Sequence, residues 1–226
     1  PRVAARWFRM GAEAGQPECQ NWLGTYYRDG LGVPRNRRLA KFWIEKAAAA
    51  GSAFGCLNLG RLYEQGIGVR EDPVRAAQLY RQAAEGGVRG AAAEWGLSLA
   101  YGIGVAEDRR SALRWFRAVQ EEGDAGGMFE IGCLYGDDRT TGRNRTAAAR
   151  WFARSARAGN RDAMVSLGVA YHEGTGVPRD DREAVRWYRR AIAAGERDHA
   201  ANNLGLCYLN GHGVGKSARL GARWTR

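Results

Sequence analysis

The stretch that comes nearest to a chemical motif is Asn210-Gly-His-Gly-Val-Gly-Lys-Ser217. A phosphate-cradling loop closes on Gly-Lys-Ser/Thr, opens on an earlier glycine, and lies between a strand and a helix so that backbone N–H groups converge on the phosphates. Here Asn210 holds the opening position and a helical pattern runs into it. The stretch is expected to be a turn, with Ser217 capping the helix that follows. The histidines His172, His199 and His212 form no His-Glu-x-x-His pattern, and Cys207 with His212 supplies too few ligands for zinc. Surface or turn positions are expected for all three. No catalytic residue, no metal-ligand set and no cofactor site is expected in this chain.

The elements that would have to position any site come from a repeat. Aligning on a Leu-Gly pair gives LGTYYRDGLGV from Leu23, LGRLYEQGIGV from Leu59, WGLSLAYGIGV from Trp95, IGCLYGDDRTT from Ile131, LGVAYHEGTGV from Leu167 and LGLCYLNGHGV from Leu204. The offsets are 36 residues four times and then 37. A second motif keeps the same step, as in Ala40/Trp43/Ala47, Ala76/Leu79/Ala83, Ala112/Trp115, Ala148/Trp151/Ser155 and Ala184/Trp187/Ala191. Two motifs per period describe a repeat array.

In the first motif Cys56, Leu59, Gly60 and Tyr63 fall on one side of a helix, here called an A helix. Glycine inside a helix costs roughly 1 kcal/mol relative to alanine, so its recurrence predicts a close helix crossing. Gly66-x-Gly68 ends the helix. Cap positions then follow nine residues after the tyrosine position, at Asn36, Asp72, Asp108, Asn144, Asp180 and Ser217. The second motif forms a B helix that stops at Gly15, Gly51, Gly87, Gly123, Gly159 or Gly195, after which Ser52, Asp124 and Asn160 cap the next A helix. Nothing alternates with period two, so no strand is expected. The fourth copy departs at Gly136 to Asn144, where Asp138 and Thr140 replace the turn glycines. That turn is either a ligand-contacting loop or drift in a tolerant surface turn.

The A-helix pattern LGxxYxxGxGVxxD, the B-helix pattern AxxWYxxAAxxG and the 36-residue step resemble the Sel-one-like repeats, relatives of the tetratricopeptide repeats. The resemblance spans essentially the whole chain in six near-complete copies. It implies an all-α, right-handed α/α superhelical solenoid with A helices on its inner surface and B helices on its outer one. It also implies a scaffold or adaptor rather than an enzyme. Some members of the family staple helix A to helix B with a cysteine pair, but here the helix B positions are alanine, as at Ala48 and Ala84. Other members are linked to β-lactam binding or hydrolysis, for which a Ser-x-x-Lys would be needed. None of Ser52, Ser98, Ser111, Ser155, Ser166 and Ser217 has lysine three residues on, so a hydrolase of that kind is the least favoured alternative.

Constant spacing without linker composition predicts one repeat domain over 1–226. Pro1 to Gly15 reads as a lone B helix and the chain stops partway through another, which includes Gly221-Ala-Arg-Trp224, so both ends are expected to be cut within a repeat of a longer protein. No apolar run long enough to span a membrane is present. Cys19, Cys56, Cys133 and Cys207 occupy differing repeat positions and are expected as reduced, buried thiols. They weakly favour a cytoplasmic setting, with periplasmic or secreted locations open because the native N-terminus is not seen.

The chain carries 35 basic and 24 acidic residues, a formal +11, with 32 arginines to 3 lysines. Fourteen of the basic residues lie on B helices, among them Arg6, Arg9, Lys41, Lys46, Arg114, Arg150 and Arg186. At helical spacing a second row of A-helix positions lies away from the buried stripe. It yields the candidate partner-binding residues Glu18, Trp22, Asp29, Phe54, Asn58, Glu94, Tyr101, Glu130, Asp137, Glu173 and Asn203. Seven positions of the row are acidic, Asp162 included, and only Arg61 is firmly basic. An acidic, amide-rich groove predicts a peptide or protein partner with lysine or arginine content, anchored on Trp22, Phe54 and Tyr101. The bland alternative is a set of solvated helix faces. Nucleic acid or an anionic surface on the B-helix face is the lesser alternative.

Overall fold

The computed structural model describes residues 1–120, 124–137 and 144–225, and these form helices joined by turns, with no strand among them. Two compact units divide the chain, Pro1–Trp115 and Phe116–Arg226. The first contains α1 (Arg2–Glu13), α2 (Pro17–Asp29), α3 (Arg37–Ala49), α4 (Ala53–Gln65), α5 (Pro73–Glu85), α6 (Arg89–Tyr101) and the start of α7 (Arg109–Gln120). The second holds the end of α7, then α8 (Ala125–Gly136), α9 (Arg145–Arg157), α10 (Arg161–Glu173), α11 (Asp181–Ala193), α12 (Asp198–Asn210) and α13 (Ala218–Trp224). Even-numbered helices are the A helices and odd-numbered ones the B helices. A helices pack on the B helix that follows them, as α2 on α3, α4 on α5, α8 on α9, α10 on α11 and α12 on α13.

The turn between them is the most regular feature. Asn36, Asp72, Asp108, Asn144, Asp180 and Ser217 each accept a backbone N–H of the helix they open. Their own N–H groups donate back to the carbonyls of Tyr27, Tyr63, Leu99, Tyr135, Tyr171 and Tyr208. One polar residue thus satisfies orphan donors of the new helix while tying it to the end of the old one. Ser52, Asp124 and Asn160 cap α4, α8 and α10 as expected. In front of α12 the cap is Glu196, which accepts from His199 and Ala200.

Two close approaches explain the repeated glycines. A Cβ on Gly60 would fall 2.6 Å from the Tyr80 ring, so the helix crossing predicted there is real and α5 lays its aromatic directly on α4. In the turn, Gly104 has φ +71 and a Cβ there would sit 2.0 Å from the Pro73 carbonyl oxygen. Gly176, at φ +75, meets the Arg145 carbonyl oxygen at the same distance. The turn of one repeat therefore rests on the first residue of the preceding B helix, and only glycine fits. The corresponding Thr140 and most of the atypical fourth turn, like Gly123, lie outside the described residues; α8 ends at Asp137 in extended conformation rather than on a left-handed glycine.

Each unit has its own core. Leu23, Ile44 and Leu62 are fully buried in the first, and Ile131, Leu134, Leu167, Tyr188 and Leu204 in the second. The expectation of four buried thiols needs correction: Cys56 and Cys207 are buried, but Cys19 and Cys133 are half-buried, because their positions lie toward the edge of the A-helix stripe. All four are free.

Candidate functional site

The residues that the helical spacing placed on the second A-helix row are exposed or half-buried throughout. In the first unit this row is cross-linked from helix to helix. Ser52 Oγ donates to a Glu18 carboxylate oxygen at 2.7 Å, and Asn58 Nδ2 donates to Asn21 Oδ1 at 2.8 Å, joining α4 to α2. Arg61 pairs with Glu94 at 3.2 Å, joining α4 to α6. Trp22, Phe54 and Tyr101 are 49%, 54% and 49% exposed. Trp22 stacks on Phe8 of α1 with ring centroids 5.8 Å apart, which holds its indole in place. Asp29 accepts two bonds from Arg28, at 2.7 and 2.9 Å, and that pairing holds its carboxyl below the ordinary range.

The acidity of the row is thus lower in the first unit than residue counting implies. Glu94 and Asp29 each face a guanidinium, and Arg61 is spent on Glu94. Beneath them Tyr80 OH donates to Glu64 at 3.0 Å, and burial together with Glu64 pushes the phenol well above its ordinary range.

In the second unit the acids converge differently. Burial, followed by the fields of Glu130 and Asp162, pushes the Cys133 thiol up to about 12. Glu173 stands at the edge of a cleft of about 360 Å³ whose lining also includes Phe152, Val165 and Val169. Asp137 and Asn203 are half-buried on α8's end and on α12. One cluster escaped the sequence reading. His172 Nδ1 lies 2.6 Å from Asp181 Oδ1, Asp181 also accepts from Arg179 at 2.9 Å, and the His172 and His212 rings are 5.1 Å apart. The signal was present, since His212 occupies the turn position held by isoleucine at Ile67 and Ile103, but its neighbour lies 40 residues away in the chain.

The B-helix faces of both units mix ion pairs with cations laid over aromatic rings, Arg186 with Glu183 being a pair of the second and Arg75 over Tyr63 a ring contact of the first. Lys41 pairs with Glu45 at 2.7 Å and Arg81 with Glu85 at 2.8 Å in the first unit. In the second, Arg150, Arg154, Arg157 and Arg190 are exposed and without a carboxylate partner among the described residues. Arg154 and Arg190 lie instead over the Trp151 and Trp187 rings, 4.5 and 4.7 Å from their centroids.

The stretch resembling a phosphate loop is a helix-ending turn. Gly211 closes α12, Gly213 rests on the Asp181 carbonyl, and Ser217 Oγ accepts from Leu220 N–H as the cap of α13. Among the described residues no group of three or more His, Cys, Asp and Glu side chains is placed to hold a metal. No helix among them is long and apolar enough to cross a membrane.

Comparison with known proteins places this architecture. A protective antigen of uropathogenic Escherichia coli strains with an SLR fold superposes with TM-score 0.87 at 34% identity, over 97% of this chain and 47% of that one. The chain thus spans about half the length of that relative. A Sel1 repeat protein from Oxalobacter formigenes gives TM-score 0.86 at 28% identity, over 98% of this chain and 94% of its own. A further Sel1 repeat protein from Klebsiella pneumoniae shares the fold alone, with TM-score 0.56 and 19% identity over 88% of this chain and 97% of that one. No curated protein matches. The Sel1 repeat model matches residues 1–16, 17–52, 53–88, 91–118, 125–160, 161–196 and 198–226. The chain, all-α as its periodicity requires, belongs to the Sel1 repeat family.

Proposed function

We propose that this chain is a non-catalytic protein-interaction scaffold whose A-helix faces hold a partner segment carrying lysine or arginine. The observation that carries the reading is the row itself: side chains from successive A helices meet as Glu18 with Ser52, Asn58 with Asn21 and Arg61 with Glu94. Bonds of this kind fix the side chains before a partner arrives, which lowers the ordering cost of binding. Exposed aromatics beside them supply apolar contact. Part of the charge that would attract a basic segment comes from Asp162 and Glu173, which are exposed on α10. Membership in a family of generally non-catalytic helical scaffolds supports the same reading. The four free thiols fit a reducing compartment.

Affinity capture from the source lysate, with and without nuclease, tests this with the parent chain and a Glu130→Lys/Asp162→Lys/Glu173→Lys variant. Discrete proteins that survive nuclease and fall at least tenfold with the variant are the expected result. Equal retention by both chains would sink the groove. A second reading has its own support in Arg150, Arg154, Arg157 and Arg190, whose unpaired guanidiniums suit phosphate. Material that nuclease removes, and that Arg150→Glu/Arg154→Glu/Arg157→Glu no longer retains, would move the function to the B helices.

A further inference from the structure

We infer that the cleft between α8, α9 and α10 receives one apolar side chain of the bound partner segment, with a lysine or arginine next to it in that segment meeting Glu173. This rests on the A-helix-face reading above and gives that face a specificity-determining pocket. Ala148, Ala149 and Phe152 of α9 form its floor, and Val165, Val169 and Ala170 of α10 form one wall. Ser166, Glu173 and Arg145 supply its polar atoms. The volume of about 360 Å³ lies at the low end of the roughly 300–1,000 Å³ usual for ligand sites, so a leucine, methionine or phenylalanine side chain fits better than a bulky cofactor.

Comparison along the repeat shows why the space is open here. The positions two repeats earlier are Glu64, Tyr80 and Glu94, where the Tyr80 hydroxyl bonds to Glu64 and Glu94 pairs with Arg61. The first unit thus carries bonded polar side chains at these positions. In the second unit the same three positions are Gly136, Phe152 and Ser166, so one carboxylate, one hydroxyl and a second carboxylate are missing together. One repeat later the residues are His172, Tyr188 and Asn203, and His172 is held by Asp181 against His212. Of these three sites, the middle one has lost both bulk and polarity.

Gly136 in particular is not imposed by packing. It lacks the left-handed backbone of the turn glycines, and among the described residues the nearest atom to a Cβ there, Ala148 Cβ, lies at an ordinary 3.8 Å. Among the described residues nothing bars a side chain at 136, and Gly136 lines the cleft. The occupant's charge follows from the neighbourhood. Glu173 edges the cleft and Asp162 is exposed on the same helix, so a basic neighbour is attracted.

The test uses the full chain and capped peptides of the form Gly-Lys-Lys-X-Lys-Lys-Gly, X being leucine, methionine, phenylalanine or alanine, with glutamate-flanked counterparts. Affinities are read by fluorescence anisotropy. The large-X basic peptides are expected to bind at least tenfold tighter than the alanine peptide, and the glutamate set not at all. Gly136→Met should erase the tenfold preference and leave the weaker, charge-driven binding, while Glu173→Lys should reduce the preference for lysine flanks. Ser166→Leu fills the cleft independently, so a lowered unfolding midpoint in one filler leaves the other to decide. Preference for large X that survives both fillers, or its absence in the parent chain, overturns the pocket. If basic peptides still bind the parent and are lost with Glu130→Lys/Asp162→Lys/Glu173→Lys, the scaffold reading stands without it. Basic peptides that bind neither chain, or both equally, overturn the two together.

Discussion

The Tyr80 ring in the first unit and the Phe152 ring in the second lie over the glycines of the same helix crossing, with hypothetical Cβ contacts of 2.6 Å at both Gly60 and Gly132. Around Tyr80 a hydroxyl, two carboxylates and a guanidinium join in two pairs. Around Phe152 there is a cleft. The backbone frame is common to both, and the difference comes from positions that the frame leaves uncommitted. In a repeat protein the residues that hold one unit on the next are therefore poor guides to what each unit does, and the informative positions are those that vary inside an unchanged frame.

That comparison can be broken most severely at the turn glycines. Gly104→Val and Gly176→Val force a β-branched residue into a left-handed φ with its Cβ 2.0 Å from a carbonyl oxygen. Each should cost roughly 3–5 kcal/mol, read by urea denaturation followed by far-ultraviolet circular dichroism. A tolerated Gly176→Val would mean that the second unit does not share the frame.

Next in size is the polar cluster. Tyr80→Phe removes the bond to Glu64 and should cost about 1 kcal/mol. Building the same pair in the second unit with Gly136→Glu and Phe152→Tyr should give a coupling of about 0.5–1.5 kcal/mol in a double-mutant cycle. A coupling of zero would show that the two sites are not equivalent.

A smaller effect separates two caps. Bonds from the Ser111 hydroxyl and then its backbone N–H hold the Asp108 carboxyl below 3.8. A depressed folded value means the contribution is complete above the ordinary carboxylate range and fades as pH falls through the folded value. Asn144, the same cap in the second unit, does not titrate. Asp108→Asn should therefore flatten stability against pH below about pH 4 while leaving it unchanged at pH 7, since asparagine caps as well as aspartate. An unaltered acid limb would count against the cap as its source.

The smallest change is chemical. With its thiol pushed up to about 12 by burial, Glu130 and Asp162, Cys133 should react with iodoacetamide at pH 8 roughly a hundredfold more slowly than glutathione. Glu130→Gln/Asp162→Asn should recover part of that rate. If it recovers none, the acids of α8 and α10 do not converge there.

Much of the fold was legible because its signals are local. Asn36, Asp72, Asp108, Asn144, Asp180 and Ser217 cap within their own turns, and the stripe of Cys56, Leu59, Gly60 and Tyr63 is buried on its own helix. Helical spacing alone also placed Glu18, Trp22, Phe54, Asn58 and Glu173 on an accessible face. Which of those side chains are already spent was beyond it. Arg61 meets Glu94 across 33 residues, and His172 meets His212 across 40. The cleft is set by side chains missing from α8, α9 and α10 at once. The period, the caps, the helix ends and the exposed row could be read from the chain, since each depends on residues within a turn or two of one another. Which carboxylates are neutralised, and where a cleft opens between two repeats, depend on distances between helices far apart in the chain, and these are fixed by the packing of the fold.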